Sequence, residues 1–220
     1  MKKIMFNDKY GLTQAVLEGR KTQTRRIITP QPTYDTNVGI CWKGYAYGIN
    51  FSGTEGAYNN FVSGTEYDKS CKRYRVGEII AIAQSYKDCG GFMQDGTPRW
   101  DYISSIVGGK SAGWTNKMFV KPELMPHQIK ITNVRVERLQ DISDWDCLAE
   151  GIVVNEPKIN GGVKSYYPSQ YHKKCADIVG WGRVYDTPKK AYAELIDKVG
   201  KNGDWERNPY VFVYDFELIK

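Results

Sequence analysis

One short basic segment carries the residue types best suited to chemistry in this chain. It reads Gly19-Arg20-Lys21-Thr22-Gln23-Thr24-Arg25-Arg26. A lysine amine can act as a base, a threonine hydroxyl as a nucleophile, and a guanidinium can bind phosphate or carboxylate through two hydrogen bonds. Lys21, Thr24 and Arg26 leave one turn together, which is compatible with an anionic or nucleotide site, although spacing alone favours the alternative. The alternative is a helix end followed by a solvated basic strand, because runs of charge usually face water.

Glu150 is the second candidate for chemistry. It is expected in the last turn of a short helix with Ser143 as N-cap, Asp146 at the capping-box position and Gly151 at the stop. Beside a positive partner such as Lys21, its carboxylate could accept and return a proton. The alternatives are an exposed glutamate or a salt bridge that holds the helix to the strands.

The elements that must position these residues follow from periodicity. A helix is predicted over about 9–18, with Leu12, Ala15 and Val16 on one face. Gly19 can adopt positive φ and stop that helix, and a strand is predicted over about 23–28. Lys21 therefore lies in the connection, and Thr24 lies in the strand.

Four further elements are predicted. The apolar run Val76 to Ala83 is typical of a strand buried on both faces. Alternation changes parity between Ile131 and Val134, which indicates a strand with a bulge. A helix over about 188–199, with Thr187 as its N-cap, and a last strand over 210–218 complete the chain. Strands and helices out of βαβ order predict an α+β fold.

Composition limits the class of protein. The chain has 220 residues and a net charge of +6, a mild bias toward polyanions. We expect one domain with insertions near 29–75, 87–127 and 152–186. Trp42, Tyr45 and Tyr47 within the first insertion suggest β-hairpins.

Cysteine and histidine usage argues against a metal centre. The five cysteines include no CxxC pair, and only two histidines occur, far apart in sequence. The N-terminal apolar run is too short for a signal peptide, and no apolar stretch reaches the length needed to span a membrane. We therefore expect a cytoplasmic protein with reduced thiols, no metal, no cofactor and no membrane partner.

The motif Gly-x-Lys-x-x-x-x-Arg after an N-terminal helix resembles the signature of the ASCH family, a branch of the PUA-like β-barrels. The amino-acid sequence of residues 17–26 resembles that of the phage and prophage branch of the family. Three further segments agree in order along the chain: Val76 to Ile80, Val134 to Gly151, and Trp205 to Val213. The resemblance implies a PUA-like mixed β-barrel with flanking helices, and a nucleobase, nucleoside or RNA as partner.

The resemblance also implies a catalytic set. One ASCH enzyme hydrolyses N4-acetylcytidine with a lysine, a threonine and a glutamate, which fall here on Lys21, Thr24 and Glu150. By analogy, Thr24 or a water attacks the amide carbonyl, Lys21 is the base, and Glu150 protonates the leaving amine. Other ASCH members are thought to bind or cut RNA, so a non-catalytic RNA-binding module remains the alternative. Metal-dependent RNA cleavage is disfavoured by the shortage of histidines and clustered acids.

The expected nucleotide-binding residues include one departure from the phage branch. Its strand continues into an Arg-Glu-Thr-Trp-like segment, where this chain has Gln84 and Tyr86. Gln84 can read a base edge through its amide but cannot act as an acid or base. The other residues expected to contact a nucleotide are Arg25, Arg26 and Trp205. The alternative for the two arginines is pairing with a surface acid, and the alternative for Trp205 is core or rim packing.

Overall fold

The computed structural model describes residues 1–35, 39–42, 45–47, 73–89, 112–113, 115–155, 164–170, 173–174 and 183–219. Its strands are β1 (Lys3–Ile4), β2 (Gln23–Ile27), β3 (Thr33–Asp35), β4 (Gly39–Trp42), β5 (Tyr45–Tyr47), β6 (Ile79–Ile82), β7 (Gln128–Arg138), β8 (Val153–Asn155), β9 (Ser165–Tyr167) and β10 (Tyr210–Ile219). Its α-helices are α1 (Leu12–Leu17), α2 (Tyr86–Cys89), α3 (Asp144–Ala149), α4 (Pro188–Val199) and α5 (Asp204–Arg207). Short 3-10 turns occupy Asp8–Tyr10, Lys117–Phe119, Pro122–Leu124 and Leu139–Asp141.

A five-stranded mixed sheet organises the fold, in the order β1-β6-β7-β10-β2. The β1–β6 pair is parallel and the other pairs are antiparallel. The α+β class is therefore confirmed. The expected barrel is not closed by the described strands, because β1 contributes only two residues and β2 pairs only with β10 there. The sheet is open, with β1 and β2 at its edges.

The β7–β10 ladder contains the bulge that the sequence predicts. Phe216 pairs with Ile131, whereas Asp215 pairs with Asn133, so Thr132 is the extra residue. The bulge restores the alternation on both sides of it, and the buried residues of β7 stay on one face. The predicted last strand is confirmed and extends one residue further, to Ile219.

The strand predicted over Val76 to Ala83 is shorter than expected. Ile80 to Ala83 are fully buried, as predicted, but Val76 and Ile79 are 61% and 46% exposed. The chain turns before β6, since Gly77 has a φ of 82° and the Glu78 amide donates to the Arg75 carbonyl. Positive φ suits glycine and interrupts a strand.

Two apolar clusters lie on opposite sides of β6. Ile80 and Ile82 belong to the main core, which β7, β10, α1 and α4 complete. Ala81 and Ala83 join Tyr86, Val120 and Met125 in a second cluster. This two-sided burial is the physical reason for the continuous apolar run in β6.

The predicted helices and caps are confirmed. The Ser143 hydroxyl accepts from the Asp146 amide at the start of α3, and the Thr187 hydroxyl accepts from the Lys190 amide at the start of α4. Ala191, Tyr192 and Leu195 form the buried face of α4. None of the helices described is both long and apolar enough to cross a membrane.

The three expected insertions lie largely outside the described residues. Within the first, β4 and β5 form the antiparallel hairpin that the aromatic alternation suggested. Within the third, β8 pairs with β9. The arrangement as a single domain stays a prediction.

Candidate active site

The turn after α1 docks the basic segment against the end of α3. Gly19 adopts a φ of 72°, and the amides of Arg20 and Lys21 both donate to the Ala15 carbonyl at 2.9 Å. The Thr22 amide then donates to the Ala149 carbonyl, also at 2.9 Å. This last bond places Lys21 next to Glu150, far away in the sequence.

Lys21 and Glu150 form a buried ion pair. The Lys21 Nζ lies 2.5 Å from the Glu150 Oε2, and the two side chains are 2% and 6% exposed. The same ammonium donates to the carbonyls of Gln23 and Glu150, at 2.7 and 2.8 Å. All three donors of the ammonium are thus used. Burial lowers the pKa of Lys21 despite the opposing attraction of Glu150, so this amine gives up its proton more readily than an exposed lysine.

Arg25 continues the charged cluster on the far side of Glu150. Its guanidinium, with no exposed side-chain surface, lies 3.3 Å from Glu150, 2.5 Å from Glu137 and 3.3 Å from Asp146. It also donates to the Gln23 side-chain oxygen. Arg25 is thus paired with three carboxylates that come from β7 and from α3 and its C-terminal end. The predicted contact with a nucleotide stays a prediction, and the ion pairing is the alternative that the geometry realises.

We use the term ion network for the set that Arg25 joins together. The network reaches the surface through Arg135, which pairs with Glu137, Asp146 and Asp215 at 3.2, 3.3 and 2.7 Å. Its members are Lys21, Gln23, Arg25, Arg135, Glu137, Asp146, Glu150 and Asp215. The Asp146 carboxylate illustrates the balance of forces: burial opposes its ionisation, but the Gln23 hydrogen bond and the charges of Arg25 and Arg135 outweigh it and hold the pKa of Asp146 below its ordinary value.

The opposite side of β2 presents Thr24 and Arg26. Thr24 is buried and pairs across the sheet with Tyr214. Arg26 donates to the Met5 carbonyl at 2.5 Å, and its guanidinium lies 6.0 Å from the centre of the Phe6 ring. The Lys21 Nζ lies 5.9 Å from the same ring. Phe6 therefore bridges Lys21 and Arg26 as an apolar wall with cations on two sides.

The Thr24 hydroxyl is near the base without bonding to it. Lys21 Nζ binds the carbonyl of Gln23, the residue directly before Thr24. No hydrogen bond between Lys21 Nζ and the Thr24 hydroxyl occurs among the bonds of the described residues. Activation of Thr24 by Lys21 would need a shift of one of these side chains or a bridging water.

Gln84, which follows the end of β6, carries a buried polar atom without a partner. It is 6% exposed, and its Oε1 has no hydrogen-bond partner among the residues described. The Ala83 amide donates to the Ile4 carbonyl at 2.8 Å, so the chain still runs beside β1 at the residue before Gln84. A buried acceptor without a partner is costly, and it suits a ligand that donates a hydrogen bond.

Two other predicted residues lie elsewhere. Tyr86 packs in the second apolar cluster, on the other side of β6. Trp205 packs edge-on against Tyr192, with ring centres 6.2 Å apart, at the helical side of the sheet. Trp205 is partly buried against the main core there, and the contact of Tyr86 and Trp205 with a nucleotide stays a prediction.

Sequence reasoning missed the acidic half of the site. Glu137, Asp146 and Asp215 surround Arg25 and Arg135, whereas the sequence pattern places them only in strands or at a helix cap. A signal was present: Arg135 and Glu137 alternate with Val134 and Val136 along β7. A polar face on a strand at the centre of a sheet calls for partners that neutralise it.

Metal ligation and thiol reactivity are two further chemistries to consider at the described side chains. No cluster of three or more His, Cys, Asp or Glu there is placed to hold a metal ion. Burial raises the pKa of the Cys147 thiol to about 12, so this cysteine is not a reactive thiolate at neutral pH. His172 and Cys175 fall outside the described residues.

Comparison of the chain with protein-family models, with curated proteins and with solved structures finds no match.

Proposed function

We propose that this chain is an ASCH-type protein that binds a cytidine nucleoside, free or in RNA, and hydrolyses the amide of an N4-acylated cytosine. The observation that carries the proposal is the buried contact of 2.5 Å between Lys21 Nζ and Glu150 Oε2. An acid and a base that must exchange a proton have to lie within hydrogen-bonding reach of each other.

The contact supplies both protonation states that amide hydrolysis needs. One proton passing from Lys21 to Glu150 converts the ion pair into a neutral amine and a neutral carboxylic acid. Burial lowers the pKa of Lys21, which makes the loss of its proton less costly than for a lysine in water. The amine can then accept a proton, and the acid can give one away.

The reaction balances with this pair. A water, or the Thr24 hydroxyl, attacks the amide carbonyl carbon and gives its proton to Lys21. The tetrahedral intermediate collapses, the bond from carbon to N4 breaks, and Glu150 protonates N4 as it leaves. The products are cytidine and a carboxylic acid; with Thr24 as nucleophile, a second attack by water releases the acid from the threonine ester.

Arg26, Phe6 and Gln84 would hold the base. The Gln84 Oε1 lacks a partner among the described residues and can accept a hydrogen bond from an N–H of the ligand. The Arg26 guanidinium can donate to the cytosine carbonyl, and the buried Phe6 ring beside it would give the base an apolar neighbour. These three groups would orient the amide toward Lys21 and Glu150.

A non-catalytic RNA-binding module is the second candidate. The observation in its favour is that the Lys21 ammonium already donates to three acceptors, as expected of a lysine with a purely structural role. In that case the ion pair only holds α3 against β2, and the residues around Phe6 bind RNA without chemistry.

A release assay separates the two candidates. Purified protein is incubated with N4-acetylcytidine, other N4-acylcytidines and a short RNA that contains N4-acetylcytidine, and the products are resolved by chromatography. We expect cytidine from the wild type and none from Lys21→Gln or Glu150→Gln. Thr24→Ala distinguishes the nucleophile: loss of activity implicates Thr24, and retained activity implicates water.

Folding is the necessary control, since these side chains are buried. Each variant is compared with the wild type by circular dichroism and thermal unfolding. Glu206→Gln, in the exposed part of α5, is a matched control that removes a carboxylate outside the ion network. Intact substrates with the folded wild type would refute the hydrolase proposal and favour the binding module.

A further inference from the structure

A second concave site lies apart from the Lys21–Glu150 pair. It is a cleft of about 660 Å³ between the end of β2, the start of β10 and the segment that joins α4 to α5. Its lining combines three cations with an apolar surface: Arg138, Lys201 and Arg207 with Ile27, Pro32 and Pro209. We propose that this cleft binds the phosphate groups of a single-stranded polynucleotide.

The side chains that line the cleft carry a net positive charge. The carboxylate of Asp204 also borders the cleft, but its side chain is only 5% exposed. One of its oxygens accepts from the Lys201 amide at 2.6 Å, and the other pairs with Arg207. Asp204 is thus committed to the backbone and to one cation. The charges of Arg138 and Lys201 have no carboxylate partner among the described residues.

Arg138 is held in a fixed orientation. Its guanidinium stacks on the Tyr210 ring, with 3.7 Å to the ring centre, and its Nη1 donates to the Asn208 carbonyl at 3.1 Å. An arginine has five N–H donors, so most of its donors stay available for a ligand. A stacked guanidinium loses little further entropy on binding, and its planar fork fits two phosphate oxygens.

The apolar part of the lining selects among anions. Ile27 is 36% exposed at the edge of β2, and two prolines continue that surface. Inorganic phosphate would use only the cations. A nucleotide chain would use both parts, with phosphates on Arg138 and Lys201 and a base or sugar on the apolar side.

The position of the cleft relates it to the candidate active site. Ile27 lies three residues beyond Thr24 on β2, which corresponds to roughly 10 Å along a strand. Because side chains alternate along a strand, Ile27 and Thr24 face opposite sides of the sheet, and a polynucleotide bound in the cleft would have to pass around the edge strand β2 to reach Thr24. This link rests on the proposed function, whereas phosphate binding in the cleft does not.

Fluorescence anisotropy with a labelled single-stranded RNA of about ten nucleotides tests the inference. The variants are Arg138→Gln, Lys201→Gln and the double variant, titrated over a range of salt concentrations. The matched control is Lys130→Gln, an exposed cation on the same strand as Arg138 but outside the cleft. Unlabelled RNA and inorganic phosphate serve as competitors.

We expect the double variant to bind at least tenfold more weakly than Lys130→Gln. We also expect its salt dependence to be shallower, by about 0.7 in the logarithmic slope for each lost phosphate contact. No measurable binding by the wild type, or equal losses in the double variant and in Lys130→Gln, would overturn the inference. Competition by inorganic phosphate at the affinity of the RNA would also overturn it, because the cleft would then be a site for free phosphate.

Failure of this inference is distinguishable from failure of the proposed function. The cleft variants should cleave free N4-acetylcytidine like the wild type, whereas Lys21→Gln should lose cleavage and keep RNA affinity. Each readout therefore reports on one site.

Discussion

Lys21 and Glu150 lie 129 residues apart in the chain, and their charged atoms meet at 2.5 Å inside the protein. Two residues near Lys21 in the sequence hold the Glu150 end of α3 in place. Thr22 donates to the last turn of α3, and Arg25 binds the second oxygen of Glu150.

The two partners should be strongly coupled in stability. Replacement of Lys21 by Met leaves the Glu150 carboxylate buried with only Arg25, and we expect a loss of about 3 kcal/mol. Adding Glu150→Met should recover part of that loss, because both buried charges are then gone. Urea unfolding of the single and double variants measures the coupling. Additive losses would mean that the two groups do not interact in solution.

The rate of hydrolysis should fall at alkaline pH. The active pair carries one proton, and that proton is lost when the pH passes the pKa of Lys21. Because burial lowers that pKa from its ordinary 10.5, the alkaline limb of kcat/KM should lie below pH 10.5. A profile from pH 6 to 11 with N4-acetylcytidine locates it. A limb at 10.5 or above would contradict a buried lysine as the titrating group.

The free energy of unfolding should depend on acidic pH through the titration of Asp146. Its pKa is lower in the folded protein than in the unfolded chain, so its contribution is present above about pH 4 and lost as the pH falls through the folded value. Asp146→Asn should therefore be less stable than the wild type at pH 7, with a difference that shrinks below pH 4. Thermal unfolding at several pH values tests this, and a constant difference would rule out titration of Asp146 as its source.

Tyr192→Phe should not destabilise the protein. The Tyr192 hydroxyl is buried beside the ion network and has no hydrogen-bond partner among the described residues. Its removal should leave the free energy of unfolding equal or raise it by up to about 1 kcal/mol. Tyr74→Phe is the matched control, since the Tyr74 hydroxyl donates to the Lys3 carbonyl at 3.1 Å, and its loss should cost about 1 kcal/mol. Equal losses in both variants would show that the Tyr192 hydroxyl has a partner.

Local sequence rules predicted the elements well. The cap at Thr187, the stop at Gly19 and the bulge near Thr132 depend on interactions over a few residues, and each is found where it was predicted. The predicted start of β6 at Val76 was wrong. The exposed residues Val76 and Ile79 extend the apolar run in the sequence, but the turn at Gly77 interrupts the strand. Hydrophobic type alone does not distinguish a buried residue from an exposed one.

Local sequence rules do not predict the partners of Arg25. By itself it is a cation in a basic segment, with a phosphate or a surface acid as equally reasonable partners. Its actual partners come from β7 and α3, and they meet β2 only when the sheet is assembled. Side-chain partners across a sheet depend on register, which the sequence specifies only through the whole fold.

The sequence by itself determined the α+β class and the order of the elements around the basic segment, because these depend on local periodicity and caps. The grouping of Lys21, Thr24 and Glu150 as candidates came from the resemblance to the ASCH family. The tertiary structure decided that Lys21 touches Glu150, that Arg25 serves the ion network, and that Arg138 and Lys201 border one cleft. Long-range contacts require chain segments to be brought together by burial of the common core, and no local rule contains that information.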